Sequence, residues 1–218
     1  MVTAELKQLY RREAFRPVRT NNLTEKYKHE SLALLMLLKE NRYGSIKRLG
    51  VADGIKQWEK IKPKDATSPT LLTEAVMLTA TIDALEQQDL AVAYIPGKYL
   101  STDMDDEVHV VFRGTLAEMM AMAYPTLYRP FVSYETGNPV LYVQLQKVLY
   151  GCLKSALLFY ENLVGDLEAY GFKINPYDPC VANKMIDGKQ LTVCWHMYDL
   201  KMSCVDANEV KKKIRWLE

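Results

Sequence analysis

Apolar and polar positions follow two rhythms along the chain, one near 3.6 residues and one of two. In "TEKYKHESLALLMLLKEN", Thr24 to Asn41, Thr24 offers an N-cap and Leu32, Leu34, Leu35, Leu37 and Leu38 cluster before Tyr43-Gly44, which predicts a helix. In "SPTLLTEAVMLTATIDALEQQD", Ser68 is the expected cap, Pro69 the first helical residue, and Leu71, Leu72, Ala75, Val76, Leu78, Thr79, Ile82 and Leu85 the apolar stripe. A strand, "LAVAYI", follows and is ended by Pro96-Gly97; an acidic turn, Asp103 to Glu107, leads into a second strand, "VHVVF". A helix is predicted from about Lys154, with Leu157, Val164, Leu167 and Tyr170 inward and Gly171 as C-cap.

The last third carries the clearest local signal. "PCVANKMIDGKQLTVCWH" reads strand, Asp187-Gly188 turn, strand, and "LKMSCV" is a third strand pairing back across Met197 to Asp199. "ANEVKKKIRWLE" closes the chain as a charged helix with Val210, Ile214 and Leu217 on one face, and the chain stops there in mid-element. The expected class is α+β, in one domain without repeats or long linkers.

Composition sets bounds on this picture. With 218 residues, 49% hydrophobic and 25% charged, the chain can bury a real core. Lys plus Arg number 28 against 27 acidic residues, so composition gives no nucleic-acid signal. The N-terminus lacks the apolar core of a signal peptide, and no apolar run approaches the ~20 residues that span a bilayer, so no membrane partner is expected. Cys152, Cys180, Cys194 and Cys204 lie far apart, which suits reduced thiols and an intracellular site, cytoplasm or nucleus.

Acidic residues at strand ends are the recurrent chemical feature, since His29, His109 and His196 are too scattered for a metal motif. Taken alone, Asp199 reads as a turn residue whose carboxylate bonds the backbone. Cys194 and His196, two apart on a strand, share a face and with Cys204 offer soft-metal ligands; the plainer alternative is a half-buried sheet face. "DMDDE" at 103–107 lacks the glycine and ligand spacing of a calcium loop and reads as a solvated turn.

Six segments in order change the weight of these residues: "IKRLGVADGIKQ", "SPTLLTEAVMLTATIDA", "VAYIPGKYLSTDMDDEVHV", "LYVQLQKVLYGCLKSALLFYENL", "GFKINPYDPCVANK" and "CWHMYDLKMSCVD". Together they resemble the reverse transcriptase of copia-type LTR retrotransposons over nearly the full length. The resemblance implies a fingers-and-palm polymerase fold, with residues 1–90 fingers-like and 91–218 palm-like, and an antiparallel palm sheet backed by helices. It also implies RNA or DNA primer-template as partner, association with other regions of a polyprotein, and two Mg²⁺ ions that activate the attacking hydroxyl and stabilise the leaving oxygen. Hard cations need carboxylate oxygens. The family places one Asp where this chain has Tyr94 and an Asp doublet where it has Tyr198-Asp199, so Asp199 alone keeps its carboxylate.

A phenol has a pKa near 10 and stays neutral, so metal binding and polymerase chemistry are expected to be impaired. Lys47 fits a triphosphate-binding position, whereas Leu49, Ile55 and Trp58 stand where basic residues are expected. Tyr99 matches the aromatic that excludes a ribose 2′-hydroxyl, and Gly151 in "LYG" matches the segment near template and nucleotide; ordinary packing explains both equally well. The chain ends shortly after the hairpin, which is expected to leave the palm truncated and the thumb missing. Three readings follow: a degenerate polymerase, a binding module that keeps the fold without catalysis, and a working site completed by Asp103 or Asp105.

Overall fold

In the computed structural model, residues 2–42, 44–95 and 98–217 are described. Tyr43 of the first predicted helix stop, the Pro96-Gly97 turn and the terminal Met1 and Glu218 lie outside them. The elements in order are α1 Val2–Arg11, β1 Phe15–Val18, α2 Glu25–Glu30, β2 Leu32–Glu40, β3 Ile46–Ala52, α3 Thr73–Leu85, β4 Asp89–Tyr94, β5 His109–Arg113, α4 Thr115–Ala123, α5 Pro125–Tyr128, β6 Ser133–Glu135, β7 Asn138–Leu145, α6 Ser155–Ala169, β8 Lys173–Ile174, β9 Val181–Ile186, β10 Lys189–His196, β11 Asp199–Cys204 and α7 Ala207–Leu217. The class is α+β, with two sheets among the described residues. No described helix is long and apolar enough to cross a membrane.

The chain packs as two compact units, one made of residues 1–66 and 99–158, the other of 67–98 and 159–218. Each unit draws on two separated stretches, and the expected join between residues 90 and 91 falls inside β4.

In the first unit the strand order is β1-β7-β5-β2-β3, with β6 on β7 and a parallel pairing of β2 with β5. The period of two explains how its centre is buried on both faces. Val110, Phe112, Leu141, Val143 and Leu145 face a core shared with Leu6, Leu9 and Met120, while Val111, Val140 and Tyr142 face a smaller cluster with Leu23.

The helix expected over residues 24–41 is a short helix followed by a strand. Thr24 does cap α2, its hydroxyl accepting from the Tyr27 N–H at 3.3 Å, but the helix ends at Glu30 and residues 32–40 are extended. A leucine run is a good helix former by itself. Pairing with β5 at Leu32 and Ala33 and with β3 over residues 34–40 holds the segment extended, and Leu32 and Leu34 enter the core two apart, so tertiary packing overrides propensity.

In the second unit the order is β4-β11-β10-β9-β8, with all pairings antiparallel. Asp187 and Gly188 take φ of +50° and +76°, the two-residue turn expected between β9 and β10. Leu191, Val193 and Trp195 of β10 share one face with Leu200 and Met202 of β11, and all five are buried. α7 packs against β4 and β11, and the Tyr160 ring of α6 lies 6.3 Å from Trp195. Along α6 the buried apolar residues are Phe159, Leu163 and Leu167, so only Leu167 of the expected stripe is among them. Gly171 ends the segment at φ +91°, as its C-cap position requires.

α3 starts later than Ser68 and Pro69 suggest. The Ser68 hydroxyl donates to the Pro69 carbonyl instead of capping, and the Leu72 N–H donates to Asp178 Oδ2 at 2.9 Å. Asp178 is buried and also accepts from the Cys180 N–H at 2.8 Å, so a distant carboxylate holds the helix entrance extended.

One backbone crossing in the first unit admits no side chain. Gly151 has φ +91°, and a Cβ there would sit 2.0 Å from the Ala52 carbonyl oxygen; a Cβ on Gly54 would sit 2.1 Å from the Gly151 oxygen. Gly151→Ala and Gly54→Ala are each expected to destabilise the protein by about 2–4 kcal/mol. Gly165→Ala, which meets nothing within 4 Å inside α6, is expected to stabilise it by up to about 1 kcal/mol. Urea unfolding midpoints check all three, and equal effects at the three positions would refute the crossing as the cause.

Candidate functional site

β4, β11 and β10 bring three polar side chains into one row. Tyr94 is the register partner of Asp199, and Asp199 is the partner of His196. Directly opposed residues share a sheet face, so the phenol, carboxylate and imidazole stand side by side, all exposed. Met197 and Tyr198 form the two-residue turn between the strands, Met197 at φ +54°. Tyr198 is tied back to β4: its carbonyl accepts from the Ile95 N–H at 3.2 Å, and its ring meets that of Tyr94 edge to face with centroids 5.2 Å apart. Thus Tyr94, Tyr198 and Asp199, named from sequence as one group, are brought together.

One step along the sheet, Lys201 lies between Val92 and Cys194. Its ammonium pairs with the Asp83 carboxylate and donates to Thr79 Oγ1 at 3.0 Å. Both partners come from α3, so this helix covers the face on which Asp199 stands. Burial pushes the Cys194 thiol above its ordinary pKa. Asp83 is 8% exposed within an otherwise apolar stretch of helix. A lone charge four residues after Thr79, inside the stripe, is the sequence signal for this pair.

The donor set decides what the row can hold. Burial, with Tyr198 and Asp199 close by, raises the Tyr94 phenol above its ordinary pKa, so the oxygen facing Asp199 is neutral. One carboxylate between two phenols does not fit a two-metal centre, which needs several anionic oxygens. Among the described residues no group of three or more His, Cys, Asp or Glu side chains is placed to hold a metal ion. The soft-metal set is also not gathered: Cys204 stands opposite Asp89, three positions from Lys201, and so points to the other face from Cys194 and His196.

The remaining sequence candidates lie in the first unit. Lys47 is exposed on β3, directly opposite Lys39. Tyr99 is 4% exposed, with its ring edge to face on Tyr150 at 4.6 Å, a packed position. Gly151 serves the backbone crossing described above. Ile55 and Trp58 are exposed. Asp103 pairs with Lys147 at 2.6 Å, and Asp105 and Asp106 pair with Lys154 at 3.2 and 2.6 Å, so the acidic run is engaged by lysines of its own unit.

That unit also has a concavity of about 310 Å³, which no sequence spacing announced, lined by Tyr27, Glu30, Lys56, Lys60, Glu107 and His109 among others. The Tyr27 hydroxyl donates to Glu107 Oε2 at 3.2 Å, and Glu30 pairs with Lys60 at 2.5 Å. Burial lowers the His109 pKa, with Glu107 opposing it. Several of its polar groups are engaged with one another.

No protein-family model matches the sequence, and no curated protein matches it.

The buried Lys201–Asp83 pair is expected to fix α3 on the sheet. Asp83→Ala leaves an uncompensated ammonium and should cost about 3 kcal/mol, whereas Asp83→Leu combined with Lys201→Met should recover most of it. A double-mutant cycle by thermal unfolding measures the coupling; additive losses would sink the pairing.

Proposed function

We propose that this chain is a reverse transcriptase-type fingers-and-palm domain, of copia-like retrotransposon ancestry, that has lost its polymerase chemistry. The observation that carries the reading is a register. Tyr94 and Asp199, which the resemblance assigns to one metal site from distant parts of the sequence, are opposite each other on β4 and β11, with Tyr198 in the turn that joins β10 to β11. A strand beside a two-residue hairpin is the arrangement that gathering carboxylates around metal ions demands. Here it presents two phenols and one carboxylate.

On this reading the fold outlives the reaction. The phenols neither neutralise cations nor take a proton from a primer hydroxyl near pH 7, and their rings occupy the space that ions and their waters need. Loss of even ~4 kcal/mol of transition-state stabilisation slows a reaction about a thousandfold.

A second reading, a non-catalytic nucleic-acid-binding module, draws on the tip of the β2–β3 hairpin. Lys39 and Lys47 stand directly opposite each other, with Arg48 beside Lys47. Like charges opposed on a hairpin are unfavourable unless an anion answers them.

Primer extension on RNA and DNA templates, with Mg²⁺ and with Mn²⁺, is expected to give no templated product; clear synthesis by the purified chain would end the first reading. Tyr94→Asp combined with Tyr198→Asp should create Mn²⁺ binding, seen by titration calorimetry, that the unaltered chain lacks. For the second reading, single-stranded RNA should bind with an affinity that falls as salt rises, and Lys39→Glu with Lys47→Glu should weaken it at least about tenfold. No binding at low salt counts against that reading.

A further inference from the structure

Lys213 of α7 is 1% exposed, and among the described residues its ammonium has no hydrogen-bond acceptor. A buried, unanswered charge is costly unless something else stabilises it. What surrounds it is aromatic. Nζ lies 4.1 Å from the ring centroid of Tyr170, 4.8 Å from that of Phe172 and 2.9 Å from that of Trp216. The rings support one another: Tyr170 stacks near Phe172 at 6.1 Å and tilts against Trp216 at 5.0 Å. Three ring faces converging on one cation make the arrangement that recognises alkylated ammonium groups.

We propose that Tyr170, Phe172 and Trp216 form an ammonium-binding cage whose resident ligand is the chain's own Lys213, which latches α7 to the segment that follows α6. The cage takes primary or methylated alkylammonium ions, and Lys213 keeps it closed to them. The site is independent of the polymerase reading.

The charges around the cage act in both directions. Burial and the Lys184 ammonium of β9 pull the Lys213 pKa down to about 7, and the Asp166 carboxylate of α6 opposes them. The ring faces oppose them as well. Lys184 lies 4.2 Å from the Tyr170 ring and is itself held by the Tyr170 carbonyl at 2.6 Å, so its charge is fixed in place. A base with a lowered folded pKa loses stability as pH falls from its unfolded value toward the folded one. The fold therefore gains stability from neutral pH toward the ordinary lysine range as the buried ammonium sheds its proton. The ammonium–ring latch itself is strongest below that window, and every ring face narrows the window.

Two measurements on the full chain test the cage. The first is an NMR titration of Lys213 through its ring-shifted ε-methylene signals. Trp216→Leu removes one ring face and is expected to lower the midpoint by about one pH unit; an unchanged or raised midpoint overturns the proposal. The second uses Lys213→Ala, in which the α7 amides should exchange about tenfold faster or more. Tetramethylammonium chloride should slow that exchange saturably, while sodium chloride at equal ionic strength and neopentanol should not. Equal protection by neopentanol means that the recess is merely apolar and overturns the proposal. Should Lys213→Ala fail to fold, the Trp216→Leu titration decides alone.

Discussion

The antiparallel pairing of β4 with β11 is the constraint on which the second unit depends. It closes a very long loop, and the entropy of doing so grows only slowly with loop length, so the cost is met once. Its register must be right, because a slip by one residue would turn every side chain of β4 to the other face. Six consecutive residue pairs, from Asp89 with Cys204 to Tyr94 with Asp199, hold it. On one face that register delivers Leu200, Met202 and Cys204 to the core; on the other it aligns Tyr94 with Asp199 and Val92 with Lys201. Core and candidate site are two consequences of one pairing.

The polar face is pinned by Lys201. Its bond to Asp83 and Thr79 places α3 over the sheet two residues along from Asp199, so the exposed row ends where the helix begins. A buried ion pair is a weak source of net stability but a strict one of geometry, since either partner left alone is costly. α3 buries little else: Met77, Leu78 and Leu85 are exposed, and Asp83 is the buried residue of the helix. The pair, rather than an apolar stripe, fixes which side of α3 meets the strands.

This is also where sequence pattern was least informative. The hairpin at Asp187-Gly188, the strand ending at Tyr94 and the C-cap at Gly171 were legible because each is set by local turn chemistry or by period. The strand at 32–40 was not, because its leucines favour a helix until β3 and β5 pair with it. The start of α3 was misplaced because the Asp178 carboxylate, far along the chain, captures the Leu72 N–H. The grouping of Tyr94, Tyr198 and Asp199 came from resemblance, not from spacing; the register supplies the physical link. Lys213 was read only as part of a charged helix, since no local pattern says that three rings from two segments will enclose it.

The two tyrosines at the row also bear on how such a fold persists. Three carboxylates crowded at a hairpin repel one another without cations to neutralise them, so a metal site of that kind sets charge repulsion against folding. Two phenols beside one carboxylate carry no such repulsion, and their edge-to-face ring pair is worth about 0.5–1.5 kcal/mol beyond its buried area. Tyr198 further secures the turn through its carbonyl to Ile95.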